Sequence, residues 1–292
     1  MLEERARKIK KRLKSLQSLP TLPPVVTKLT HLLADEKTTA LQLAEVIEKD
    51  QVLTSKVLKM VNSAFYGFPR RISTVSTAIV LLGFNVIRTL IITASIFEMM
   101  QSEDLSLWEH SLGVAAASGL LAQRLELKNP EEVTTAGLLH DLGKVVIRSE
   151  FPEMYQEILA LVKEKGLSFR EAEKEILGLD HSEIGEFLTN HWNLPERLVE
   201  PIAFHHQVEK ARKYKKEAAV IHLGDIIIRA LGYGSGGDPW VPFLDEKAWS
   251  LLRLKKEDFE ELLPVLDDRL LELRFFTMEM QGIGFAEGLS IS

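Results

Sequence analysis

The most informative absence in this sequence is cysteine, of which there is none among 292 residues. Disulfide bonds and thiolate metal sites are therefore excluded, and any metal must be held by nitrogen and oxygen ligands. Long hydrophobic runs are also lacking. The longest apolar stretch, from Ile79 to Ile92, is interrupted by Asn85 and Arg88, whereas a membrane-spanning helix needs about 20 nearly uninterrupted apolar residues. We therefore expect no membrane segment.

Positive charge is in deficit, with 36 Lys and Arg residues against 42 Asp and Glu residues and a net charge of -6 at pH 7. A short basic run at residues 5–14 is a local exception. This balance gives no general electrostatic basis for binding nucleic acid. The charged start of the chain does not resemble a signal peptide, and we expect a cytoplasmic protein.

Apolar residues recur at intervals of three and four along most of the chain, which is the period of amphipathic helices. No stretch shows the sustained alternation of a strand, so the sequence predicts an all-α fold. Pro23-Pro24 is expected to open a helix, and Gly83 is expected to interrupt one. Further helices are predicted to start at Pro130, to span residues 152–165, and to lie near residues 182–190, 196–206, 217–231 and 254–280.

Three parts are predicted from this pattern. Residues 1–105 form an N-terminal bundle of short helices, residues 106–232 form a second helical bundle, and residues 233–292 form a loop with a C-terminal helical extension. The glycine-rich stretch at residues 232–239 is predicted to be a flexible loop. It lacks the strand-turn-helix context that a phosphate-binding loop needs.

Histidine is distributed unevenly, because seven of the eight histidines lie between positions 110 and 222. His140 is followed directly by Asp141, and Asp225 lies three residues beyond His222. Neutral imidazole and carboxylate are both good ligands for divalent transition metals. A His-Asp pair alone is weak evidence, since most such pairs are surface or capping residues. The clustering of the histidines is therefore the main indication of a metal centre.

The motifs around these histidines resemble a known family. Leu138-Leu-His-Asp-Leu-Gly-Lys144, Asp180-His-Ser-Glu-Ile-Gly185 and His205-His206 are similar to the HD superfamily of metal-dependent phosphohydrolases. With Leu19-Pro-Thr-Leu-Pro-Pro24 and Asn62-Ser-Ala-Phe-Tyr-Gly67, the chain resembles the HDOD family, the HD-related output domain proteins of bacterial signalling. The resemblance implies that the short-helix bundle packs on an HD-like helical bundle.

Carried over position by position, the resemblance implies seven metal ligands, which are His110, His140, Asp141, His181, His205, His206 and Asp225. Such a set suits Fe, Mn, Ni, Co or Zn better than Ca or Mg, and both a mononuclear and a dinuclear centre remain open. The chemistry implied is metal-assisted hydrolysis of a phosphoester. In it Asp141 orients the attacking water and Lys144 neutralises charge on the phosphate. A surface salt bridge is the alternative for Lys144.

Two departures from the HD-GYP relatives bear on substrate. Those enzymes carry a carboxylate one helical turn before the first histidine, where this chain has Ser106, and the neighbouring Glu109 points about 100° away on a helix. The double histidine is followed by Gln207-Val-Glu-Lys210 instead of a Glu and a Gly-Tyr-Pro loop. The sequence therefore argues against hydrolysis of cyclic di-GMP.

Two functional hypotheses follow. In the first, the chain is a signalling protein that binds metal without established turnover and engages a partner protein through residues 1–105. In the second, it is an active phosphohydrolase on a nucleotide-like phosphoester. Enzyme activity is left open by the sequence.

Several other polar and aromatic residues have simpler explanations. His191 and His222 are expected to be helix residues with structural roles. Asp50 and Asn62 are expected to serve as helix caps or turn residues. The Phe65-Tyr66-Phe68 cluster is expected to belong to the core.

Overall fold

The computed structural model describes residues 2–15, 32, 38–64, 66–101 and 105–280. Helices and turns account for all regular structure in these ranges, with no strand among them, which confirms the predicted all-α fold. The helix expected after Pro23-Pro24, the motif at residues 19–24, Phe65 and the last 12 residues lie outside the described residues. Within the described part, no helix is both long and apolar enough to cross a bilayer.

The N-terminal helices are α1 (Leu2–Ser15), α2 (Ala40–Glu48), α3 (Gln51–Val61) and α4 (Val75–Gln101). Asp50 caps the start of α3, where its carboxylate accepts the Leu53 N–H at 3.0 Å. Asn62 ends it, donating to the Leu58 carbonyl at 2.7 Å and exchanging two hydrogen bonds with the backbone of Ile72. The expected capping roles of Asp50 and Asn62 are therefore confirmed.

Helix α4 is two helices joined at the predicted break. Gly83 has φ 81° and ψ 162°, a backbone conformation that other residues rarely adopt, and helical structure continues on both sides. The two arms bury Ala78 and Ile79 before the break and Val86 and Ile87 after it. The break thus turns two short apolar faces toward one core.

The remaining helices are α5 (Leu105–Arg124), α6 (Pro130–Leu139), α7 (Leu142–Glu150), α8 (Pro152–Lys165), α9 (Phe169–Leu177), α10 (His181–His191), α11 (Glu196–Phe204), α12 (Lys215–Ala230), α13 (Glu246–Leu252) and α14 (Lys256–Met280). Helices α6, α8, α10, α11, α12 and α14 match the predicted positions to within a few residues. The sequence did not predict α13.

Helix α5 lies at the centre of the C-terminal half and packs against α6, α12 and α14. Glycines permit the close approaches. A Cβ at Gly137 would lie 3.2 Å from Ala115 Cα, and one at Gly224 would lie 2.7 Å from Ser118 Oγ. These contacts hold α6 and α12 against the same face of α5, which places His110, His140 and Asp225 near one another.

The core is continuous across the predicted boundary at residue 105, and the boundaries themselves stay predictions. Tyr66 and Thr135 join the two halves through a hydrogen bond between their hydroxyl groups, at 2.9 Å.

Residues 232–239 pack against α5. The Ser235 N–H donates to the Ser106 carbonyl at 2.9 Å. Gly234 lies so close to His110 that a Cβ at this position would overlap the His110 backbone. Helix α14 buries Leu266 and Leu273.

Candidate metal centre

All seven side chains predicted as metal ligands converge in one cluster. His110 lies on α5 and Asp225 on α12, His140 and Asp141 form the junction between α6 and α7, and His181 opens α10. His205 and His206 directly follow α11. Six of the seven are at most 3% exposed, and His206 is partly exposed.

Asp141 stands at the middle of this cluster. Its Oδ2 is 3.3 Å from His140 Nε2 and 3.5 Å from His110 Nε2. Its Oδ1 is 3.2 Å from His181 Nε2. The two oxygens of one carboxylate therefore face histidines on opposite sides.

Potential ligand atoms fall into two groups without a shared member. His110, His140 and Asp225 form one, and His181, His205 and His206 form the other, with the ligand atoms in each group within 4.8 Å of one another. A third group of the same kind contains His140, Asp141 and His205 and connects the first two.

Three of the imidazoles are oriented by hydrogen bonds at Nδ1. His140 Nδ1 lies 2.7 Å from the Gly137 carbonyl, and His205 Nδ1 lies 2.7 Å from the Ile202 carbonyl. His181 Nδ1 lies 2.6 Å from Glu173 Oε2. Because these oxygens accept, each Nδ1 donates, which leaves the Nε2 lone pair turned inward as in metal-bound histidines.

Most inward-facing atoms of the cluster lack partners among the described residues, although His181 Nε2 lies 2.9 Å from His206 Nε2. Six buried atoms of the cluster have no hydrogen bond: both nitrogens of His110, Nε2 of His140 and His205, and Oδ1 of Asp141 and Asp225. His110 Nε2 lies 3.1 Å from Asp225 Oδ1. Buried polar atoms nearly always have partners. A bound cation would satisfy these, so the donor set fits a divalent metal.

The protonation states of these groups suit a metal except at His140, whose raised pKa means that metal binding would release a proton there. Burial lowers the pKa of His110, His205 and His206, which keeps these imidazoles neutral. Burial alone would raise the pKa of Asp141, but His140 and Lys144 hold it well below its usual range. For His140, burial is outweighed by Asp141, and the pKa is raised. Neutral imidazoles and an ionised carboxylate are the forms that bind metal.

Lys144 is not a surface residue. It is 3% exposed, and its Nζ donates to Asp141 Oδ2 at 2.7 Å and to the Gly236 carbonyl at 2.8 Å. The alternative of a surface salt bridge is therefore wrong. Gly143 allows α7 to reach this position, because a Cβ there would overlap the His181 carbonyl.

Sequence reasoning missed Glu173, which is fully buried on α9. Its Oε2 accepts from both the backbone N–H of His181, at 3.0 Å, and the ring Nδ1. One signal could have found it. Glu173 lies on the apolar face of α9 that Phe169, Ala172 and Leu177 define, and an acidic residue on a buried face requires a partner.

The two remaining histidines of the window lie outside this cluster. His222 Nε2 accepts the Asp245 N–H at 3.0 Å. His191 is exposed and stacks on Phe187 with ring centroids 6.2 Å apart. Both positions agree with structural roles. Ser106 contributes its carbonyl to Ser235.

Comparison with known families shows which family the chain belongs to. The model of the HDOD domain matches residues 19–208. The chain belongs to the HDOD family. This HDOD match includes every predicted ligand except Asp225, and it confirms the resemblance seen in the sequence.

Relatives are known by sequence and by structure. An uncharacterised protein of Treponema pallidum is 30% identical over 65% of this chain, which spans only 38% of that protein's length. An HDOD domain protein of unknown function from Geobacter sulfurreducens superposes with a TM-score of 0.70 at 29% identity, covering 96% of this chain and 99% of that one. A Shewanella amazonensis protein named as a candidate phosphohydrolase superposes with a TM-score of 0.63 at 26% identity, covering 93% and 97%.

Proposed function

We propose that this HDOD protein is a bacterial signalling protein whose HD-like half holds a divalent transition metal, with one or two ions of Fe, Mn, Ni or Zn. The observation that carries the proposal is the position of Asp141. Its two oxygens face opposite groups of buried imidazoles whose Nε2 atoms are turned inward. Six buried atoms of the cluster, among them Nε2 of His140 and of His205, have no hydrogen-bond partner among the described residues.

The residues divide into two ligand groups. His110, His140 and Asp225 would hold an ion on one side, and His181, His205 and His206 would hold an ion on the other. Asp141 would contribute to both. A divalent ion in such a site supplies Lewis acidity toward a phosphate oxygen or a water.

A signalling role further requires a partner protein, which we place on the N-terminal helices. Leu41 on α2, Val52 on α3, and Val80 and Leu81 on α4 are 53–75% exposed, and α4 packs against both α2 and α3. Exposed apolar side chains on adjacent helices support a protein-binding surface. Replacing Val80 and Leu81 with Asp would abolish signalling in cells without changing metal content; unchanged signalling would argue against this surface.

Hydrolysis of a phosphoester is the second candidate function. Lys144 supports it, because this buried ammonium lies beside Asp141 and also lines a cavity that reaches His181 and His206. Lys144 would neutralise a phosphate oxygen, and Asp141 would orient a water. Hydrolysis of bis(p-nitrophenyl) phosphate by metal-loaded protein, lost in Lys144→Met with metal content unchanged, would establish this function.

Elemental analysis of the purified protein tests the metal proposal. We expect about one or two transition-metal ions per chain, lost in His140→Ala and Asp141→Ala. His191→Ala is the matched control, because it removes an imidazole outside the cluster, and it should retain the metal. Less than about a tenth of an ion per chain after loading with each metal would refute the proposal.

A further inference from the structure

Helix α1 carries the basic run at residues 5–14, which the metal centre leaves unexplained. Seven of these ten residues are Lys or Arg, and none is acidic. Without these seven, the 36 Lys and Arg residues of the chain fall to 29, against 42 Asp and Glu residues. The strongest concentration of positive charge therefore lies on one short helix of an otherwise acidic protein.

The apolar side of α1 faces the body of the protein. Ile9 and Leu13 are 2% and 1% exposed, and α1 packs against α9 and α10. The cations whose side chains the structure describes are all exposed, and they are Arg5, Arg7, Lys8, Lys10, Lys11 and Arg12. The body therefore holds α1 by one narrow apolar stripe and leaves its charge in contact with water.

The cations at the two edges of α1 reach groups on the body. Arg5 donates to the Ile176 carbonyl at 3.1 Å, and Arg12 lies 3.5 Å from the Glu150 carboxylate. Lys10 lines a cavity together with two glutamates of α10. The charge at these edges is therefore partly balanced by acidic neighbours.

The outward side of α1, opposite its buried stripe, has less compensation. Lys8 pairs with Glu4 at 3.3 Å, but both side chains are exposed, and such a pair contributes little. Arg7 and Lys11 lie one helical turn apart and form no ion pair with another described residue. Like charges at this spacing destabilise a helix. The arrangement therefore favours a bound polyanion.

A bilayer with anionic headgroups is the polyanion that matches this surface. Clusters of about four to eight Lys and Arg residues on an amphipathic helix are typical of segments that bind anionic lipid. The basic run is about 14 Å long, and mobile headgroups can gather beneath so short a strip. Duplex DNA holds its phosphates in fixed rows and is contacted by a wider basic surface, whereas the rest of this chain is acidic.

We propose that α1 binds the anionic surface of a lipid bilayer through its exposed cations, while Ile9 and Leu13 stay packed on the body. This contact lies on the membrane and does not span it. It is independent of the proposed metal centre, because none of the seven predicted ligands lies on α1. Helix α1 also precedes the family match at residues 19–208, so the property would belong to this chain and not to the HDOD domain in general.

Cosedimentation of the full chain with vesicles tests the proposal. The probes are vesicles of phosphatidylcholine alone and vesicles that also contain about 30% phosphatidylglycerol, an anionic lipid. At about 0.1 M salt we expect the anionic vesicles to bind the protein about tenfold or more tightly than the neutral ones. The difference should largely disappear at about 1 M salt, where charges are screened within about 3 Å. Equal binding to both vesicles, or binding to neither, would refute the proposal.

Paired substitutions test whether α1 is the contact. Arg7→Gln combined with Lys11→Gln should weaken binding about 25-fold, at about fivefold for each cation. Lys215→Gln combined with Lys216→Gln is the matched control, because it removes the same charge from exposed residues of α12. The control should bind normally, and so should Arg7→Lys combined with Lys11→Arg, which keeps the charge. Full binding by the first variant, or an equal loss in the control, would exclude α1 as the contact.

Duplex DNA distinguishes a lipid surface from polyanions in general. A labelled duplex of about 20 base pairs, compared with anionic vesicles at equal phosphate concentration and equal salt, should bind the protein more weakly. Tighter binding to the duplex, lost when Arg7 and Lys11 are both replaced by Gln, would overturn the lipid proposal and assign α1 to nucleic acid.

Discussion

Polar residues in the two halves of this protein differ in how their hydrogen-bonding atoms are used. In the N-terminal bundle, Asp50 and Asn62 direct their side chains at nearby backbone groups. In the cluster around Asp141, His140 and His205 satisfy Nδ1 with a carbonyl, while Nε2 is buried without a partner in the described structure. The first arrangement stabilises the chain by itself, whereas the second requires something the chain does not supply.

Removal of metal should give the largest effect. A bound ion stabilises the folded state in proportion to its affinity, by about 4 kcal/mol at 1,000 times the dissociation constant. For a chain of this size that corresponds to a fall of roughly 10 °C in Tm on chelation. Differential scanning calorimetry of loaded and chelated protein measures it. An unchanged Tm in protein shown to have lost its metal would contradict the account.

Single substitutions in the two regions should then act in opposite ways. Asn62→Ala leaves backbone groups of Ile72 without partners, so we expect it to lower the free energy of unfolding by about 2 kcal/mol while metal content is unchanged. His140→Ala should abolish metal binding, so that added metal stabilises the Asn62→Ala protein but not the His140→Ala protein. Urea unfolding of metal-loaded and chelated samples, with elemental analysis, compares them. Stabilisation of both variants by metal would remove the distinction.

Glu173 should have an intermediate effect, because it acts through His181. Glu173→Ala removes the acceptor of His181 Nδ1 and should weaken metal binding about 10-fold to 100-fold. Glu173→Gln keeps an oxygen acceptor and should weaken it less. Competition with a chromogenic chelator measures the affinity. Glu171→Gln, on the exposed side of α9, is the control, and an equal loss there would exclude a specific role for Glu173.

The smallest effect is expected at Tyr66, which joins the two halves. Burial raises the pKa of Tyr66, so its stabilising contribution is complete below the unfolded value of about 10 and declines as the pH rises above it. Tyr66→Phe should cost about 1 kcal/mol at neutral pH and should reduce the loss of stability above pH 10. Urea unfolding at pH 7 to 11 tests this. Parallel profiles for both proteins would contradict it.

Much of the helical fold could be predicted from the sequence. Apolar periodicity, the cap at Asp50 and the break at Gly83 depend on neighbours along the chain, and the structure confirms each. The proximity of the seven predicted ligands followed from the family resemblance. Their burial and the inward direction of Nε2 did not, because these depend on the packing of α5, α6 and α12.

Three features of the site could not be read from the sequence. The burial of Lys144 depends on the path of residues 232–239, which close over it through the Gly236 carbonyl. Glu173 lies eight residues before the histidine that it contacts and on a different helix. The position of Trp240 on the cavity that also reaches His181 depends on Asp238, whose partners Arg229 and Phe169 come from separate helices.

Anomalous diffraction from crystals of metal-loaded protein, recorded above and below the absorption edge of the loaded ion, tests the central claim most directly. The account predicts an anomalous peak beside Asp141, flanked by His110, His140 and Asp225, and a second peak toward His181, His205 and His206 if the centre is dinuclear. Water hydrogen-bonded to the same nitrogens, with no anomalous signal in fully loaded protein, would contradict it.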